Sequence, residues 1–158
     1  MNARTIVTTA AALGVAAALL PVAAGAATPG SGSLLIHHQK QGCHAWSLNG
    51  GSYRAALDVA LKRGGTLTIT DNDLMPHRLV KLSGPSVVER LVTPGSMSMG
   101  KLTAPYAAGM MPHMGATLRV SFPTKGVYTF RTKAGDDYMA GIKTTGPDNV
   151  LRLTVVVS

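Results

Sequence analysis

Cysteine, acidic residues and aromatic rings are all scarce in this chain, and each scarcity excludes something. One cysteine, Cys43, stands among 158 residues, so no disulfide can form within the chain. Seven Asp and Glu face fifteen Lys and Arg. The few acids show no paired spacing for acid–base hydrolysis, and no cluster of the kind a hard cation needs. Aromatic residues make up 4% of the chain, and the Lys and Arg residues are scattered rather than gathered into runs. Base stacking on a basic groove is therefore not expected. There is no Gly-x-Ser-x-Gly, no internal repeat and no heptad pattern.

What is present begins with a leader. Arg4 supplies a short positive start, and residues 6–24 are mostly apolar and small. Ala24-Gly25-Ala26 fits a small-x-small cleavage site. A membrane anchor is the other reading, but Ala, Gly and Pro21 make a weak span. Residues 1–27 are therefore expected to be a signal peptide, with the mature protein periplasmic or extracellular and without an integral span. Loss of Arg4 with the leader takes the formal charge from +8 to +7. About 130 remaining residues can bury a core without covalent help. An unpaired thiol outside the cytoplasm needs burial, a partner chain or a bound group.

Residues 28–40, which include Thr28-Pro29-Gly30-Ser31-Gly32-Ser33, are expected as a flexible linker, with 34–38 either opening a strand or remaining an arm. The domain proper is expected over 41–158. Strands are expected over 41–48, 66–70, 77–82, 116–122, 127–132 and 149–157, with polar–apolar alternation clearest over 66–70 and 116–122 and many β-branched residues over 149–157. Residues 53–61 also alternate, although Ala and Leu there favour a helix by propensity. Residues 87–92 are a short candidate. Seven or eight strands with turn signals between them imply an all-β antiparallel sandwich. Pro123 to Gly126 reads as a hairpin turn joining 116–122 to 127–132. The segment 97–114 reads as a loop and holds Met97, Met99, Met110, Met111 and Met114 of the eight methionines.

Residues 65–84 carry the chemistry best. A strand ends in Asp71-Asn72-Asp73, whose side chains favour turns. Pro76 cannot donate to a ladder and suits a strand edge. His77 then opens the next strand at a rigid corner, where one ring nitrogen can be aimed at a fixed point. Imidazole is the commonest protein ligand for metals.

This strand–loop–Pro-His–strand pattern resembles the first ligand loop of cupredoxins, the copper-binding Greek-key β-sandwiches. Gly126, Tyr128 and Phe130 resemble the Gly-x-Tyr-x-Phe-x-Cys strand of that family. Thr132 stands in its Cys position, no His follows, and Met139-Ala140-Gly141 matches its Met-x-Gly. The likeness covers residues 41–157. It implies a cupredoxin-like Greek-key sandwich and a copper ion, but not the ordinary ligand set.

The missing ligand types occur elsewhere. In a cupredoxin-like topology Cys43 or His44, His77, and His113 or Met114 would reach one end of the sandwich from three segments. Imidazole, thiolate and thioether suit copper. Each also has a plainer reading: Cys43 as a small buried hydrophobe, His77 as a corner residue, His113 as part of an ordinary loop, Met139 as core. Cys43 and His44 are strand neighbours and point apart, which favours one of them as ligand and disqualifies them as nucleophile and base. The function implied is copper binding for electron transfer or copper handling, with a redox partner or a copper-delivery protein. A metal-free binding or adhesion sandwich is the alternative. An enzyme is not expected, a small copper oxidoreductase being the one kind left open.

Overall fold

Buried and exposed side chains alternate along most of the strands. The structure, a computed structural model, describes residues 28–38, 44–97, 102–134 and 150–158. Among these there are ten strands: β1 (Ser31–His38), β2 (His44–Leu48), β3 (Ala56–Leu61), β4 (Thr66–Asn72), β5 (His77–Ser83), β6 (Val88–Thr93), β7 (Met110–Met111), β8 (Ala116–Ser121), β9 (Gly126–Ala134) and β10 (Val150–Val157). They form two five-stranded sheets, ordered β2-β1-β4-β8-β6 and β3-β10-β9-β5-β7. The chain is an all-β sandwich. No described helix is long and apolar enough to cross a membrane.

The inner faces make one core. Leu34 and Ile36 from β1, Leu67 and Ile69 from β4, and Leu118 and Val120 from β8 meet Tyr128 and Phe130 from β9 and Leu151, Leu153 and Val155 from β10. Phe122 packs edge-on against both Tyr128 and Phe130, at centroid distances of 5.0 and 6.1 Å. Each large apolar side chain buried this way contributes about 1.5–3 kcal/mol.

Three expectations change. First, residues 31–38 are not linker. They form β1, which pairs antiparallel with β2 and parallel with β4. The Gly and Ser content of 30–33 disguised a strand whose buried residues come only at Leu34 and Ile36. Second, the sheets are mixed rather than wholly antiparallel, since β3 also pairs parallel with β10. Third, β8 and β9 are not hairpin partners. β8 pairs with β4 and β6, and β9 with β5 and β10. Residues 122–125 carry the chain from one sheet to the other. Both strands point aromatic or aliphatic residues inward, and facing sheets bury both sets where a flat hairpin would leave each needing another cover.

Candidate metal centre

One end of the sandwich collects the ends of many strands. β1 finishes there at His38, opposite His44 at the start of β2. β4 ends there at Asn72, with Asp71 opposite Ala116, where β8 begins. β5 starts there, with His77 opposite both Met111 and Ala134. The segments carrying the sequence candidates thus come to one end. Cys43 lies outside the described residues, one position before β2, as do Met139 and residues 1–27.

Strand parity explains the burial of Asp71. Leu67, Ile69 and Asp71 take successive inward positions on β4, so Asp71 continues the apolar series into the core and is 0% exposed. His77 and Leu79 are likewise inward on β5. The two polar residues meet across the sheets, with His77 Nδ1 2.9 Å from Asp71 Oδ2. Burial raises the carboxyl of Asp71 above its usual value, and the adjoining imidazole opposes that shift.

The loop between them is built by its acids. Asp71 Oδ1 accepts the backbone N–H of Asp73 at 3.1 Å, and Asp73 Oδ1 accepts that of Met75 at 3.0 Å. Each bond spans two residues, the Asx-turn pattern. Together they deliver the chain to Pro76 and fix where His77 starts. With the Asp71 carboxylate on Nδ1, a metal would take Nε2, as ligating histidines backed by a carboxylate do.

His113 and Met114 part company. His113 Nε2 is hydrogen-bonded to the Tyr106 hydroxyl at 3.2 Å, with the rings edge-on. Its Nδ1 is buried and has no partner among the described residues. Met114 turns into a pocket of about 380 Å³ lined also by His38, Asp73, Met75 and Met97. Met97 and Met114 are bridged through the backbone, the Met114 N–H donating to the Met97 carbonyl at 2.6 Å. His38 Nδ1 lies 3.9 Å from Asp73 Oδ2. Among the described residues no three of His, Cys, Asp and Glu gather to hold a metal. The pocket lining brings together one imidazole, three thioethers and the Asp73 carboxylate.

Thr132, in the slot where the cupredoxin pattern has Cys, is fully buried on β9. Its hydroxyl has no partner among the described residues. Sequence reasoning missed Asp71 as the partner of His77, treating it as a turn former. Its place two residues beyond Ile69 was the available signal. It also set His38 in a linker and left Met75 and Met97 outside the candidate set. The density of methionine over 97–114 was the clue there.

No protein-family model and no curated protein matches the chain. Among solved structures, an oxidized amicyanin mutant is 18% identical, covering 84% of this chain and 86% of its own, with a TM-score of 0.38. A purple cupredoxin from Nitrosopumilus maritimus is 19% identical over 80% and 98%, with a TM-score of 0.36. An inclusion body protein from Burkholderia cenocepacia is 9% identical over 84% and 98%, with a TM-score of 0.41. At these values the likeness bears on neither ligand nor activity, and the functional case rests on the residues themselves.

Proposed function

We propose that the chain is an exported copper-binding protein on a cupredoxin-like sandwich, serving electron transfer or copper handling. One observation carries the reading: the segments bearing its soft donors end together at one edge of the sandwich. His38 and His44 are register partners in β1 and β2, His77 opens β5, and Met75, Met97 and Met114 line one pocket. Nitrogen and sulfur donors with few oxygens suit copper and disfavour calcium or magnesium. Cys43, next to His44 in the chain, would add a thiolate.

Electron transfer calls for a rigid site and a redox partner; handling calls for ligands that exchange and a protein that delivers or receives the ion. Visible absorption and metal analysis of the purified protein, loaded separately with Cu(II) and with anaerobic Cu(I), test the proposal beside a Cys43→Ala variant. One bound equivalent is expected. A charge-transfer band that the variant loses supports electron transfer through a copper–thiolate bond. Retained Cu(I) without such a band supports handling. Retention of neither ion overturns the copper reading in favour of a metal-free binding sandwich.

A further inference from the structure

Met75, Met97 and Met114 converge from three separate segments, the β4–β5 loop, the stretch after β6 and the turn before β8, and His38 completes the pocket from the end of β1. We infer that this pocket is a site for a soft monovalent metal ion, copper(I) in the first place, held by His38 and the three thioethers. The inference rests on the copper reading above and names a donor set apart from His77.

The other described methionines provide the contrast. Met110 and Met111 are 6% and 0% exposed, and Met111 belongs to the core, where methionine fills gaps. Met97 is 58% exposed and fills no gap. It is nevertheless held in place, because its carbonyl accepts the Met114 N–H and the Ser96 N–H donates to the Met114 carbonyl at 3.2 Å. The backbone thus sets Met97 and Met114 opposite each other in register, and both line the pocket.

The chemistry of the lining selects the ion. Thioethers are soft, neutral donors that favour Cu(I) over hard cations. Zinc sites are built from thiolate, imidazole and carboxylate, and here a single imidazole and a single carboxylate are present. Asp73 also lines the pocket. It lies on the Nδ1 side of His38, so a metal would take Nε2. The pocket is wider than one ion, but methionine has three rotatable bonds and can close on it. An opening lined by such movable ligands suits an ion that is received and passed on.

Silver(I), which is soft and monovalent and undergoes no redox change here, is the probe. It is titrated into protein carrying ¹³C-methyl methionine, with peaks assigned through Met→Leu variants. The methyl signals of Met75, Met97 and Met114 are expected to shift while those of Met110 and Met111 stay, and zinc chloride should move none. In parallel, Cu(I) affinity is measured anaerobically by competition with a chromogenic chelator. The double variant Met97→Leu/Met114→Leu keeps side-chain size and removes both sulfurs, so Cu(I) should bind at least about tenfold more weakly, with the unfolding midpoint little changed. Methyl signals that ignore silver overturn the inference. So does an unchanged Cu(I) affinity in the double variant, in which case copper binds elsewhere and the copper reading stands. If the unaltered protein retains copper in neither state, both readings fall.

Discussion

An ionised carboxylate can only accept hydrogen bonds, so when Asp71 is charged the proton of the His77 ring sits on Nδ1, the atom it faces at 2.9 Å. Asparagine at position 71 keeps an Oδ1 for the Asp73 N–H but can present an N–H to the ring, drawing the proton to Nε2. Asp71→Asn is therefore expected to switch the His77 tautomer, read from its ring ¹⁵N shifts, with the fold retained. If His77 is a copper ligand, affinity should fall about 10- to 100-fold; an unchanged tautomer would refute the positioning role. Glu89 gives a pH prediction. Burial raises its pKa above 4.5, against the opposing charges of Arg78 and Lys81. A carboxyl raised in the fold contributes stability that is present below its unfolded value and lost as the pH rises through its folded value. Glu89→Gln removes that loss. The gap in urea midpoint between variant and parent should widen in the variant's favour from pH 4 to pH 7. A gap that narrows would mean the two cations outweigh burial. Asp71 also marks a limit of legibility: its residue type signals a turn, while its parity with Leu67 and Ile69 puts it in the core.

At the level of elements, most strands were legible because a half-buried strand writes its inward face every second residue. β4, β8 and β10 follow this closely, and β5 does so as far as Leu79. β7 was not legible, since two residues cannot show a period, and its partner residues His77 and Arg78 lie more than thirty positions earlier. The pairing of β9 was misread because Pro123 to Gly126 has hairpin composition, and composition does not say whether the next strand returns to the same sheet. The methionine density over 97–114 hinted at a site but not at its geometry, because only tertiary pairing brings Met97 beside Met114. Gly95 governs that pairing. Its φ is +76°, and a Cβ there would lie 2.6 Å from the carbonyl oxygens of His113 and Met114 and 2.7 Å from the Ala116 nitrogen. Gly50 has a similar φ of +74° with open space around it, so Gly50→Ala meets only the backbone strain, about 1–3 kcal/mol at most. Gly95→Ala must also displace backbone. It should lower the melting temperature more than Gly50→Ala, and it should weaken silver binding where Gly50→Ala does not. Equal effects on both would show that the 95–97 and 113–116 segments yield without disturbing the pocket.

For the molecule as a whole, the sharpest consequence concerns where the folded unit begins. Composition suggested a linker over 28–40 and a domain from 41 onward, yet β1 lies second in its sheet, between β2 and β4. β2 has no other strand partner among the described residues beyond an isolated bridge from Trp46 to Arg54. Removing β1 exposes the edge of β4, strands β2, and takes Leu34 and Ile36, both 0% exposed, out of the core. Those two side chains alone contribute about 3–6 kcal/mol. Trp46, also 0% exposed, would lose the strand that holds its own in register. The total reaches the 5–15 kcal/mol by which a whole domain is usually stable. A chain starting at residue 41 is therefore expected not to fold cooperatively, whereas one starting at residue 28 should melt in a single sharp transition. Far-ultraviolet circular dichroism with temperature distinguishes them. With one cysteine in the chain, no internal cross-link can rescue the shorter form, so reductant should leave the melting of the longer form unchanged. A cooperative melt from the chain beginning at 41 would mean that β4 can serve as an edge, and that the Gly- and Ser-rich approach to β1 is a linker after all.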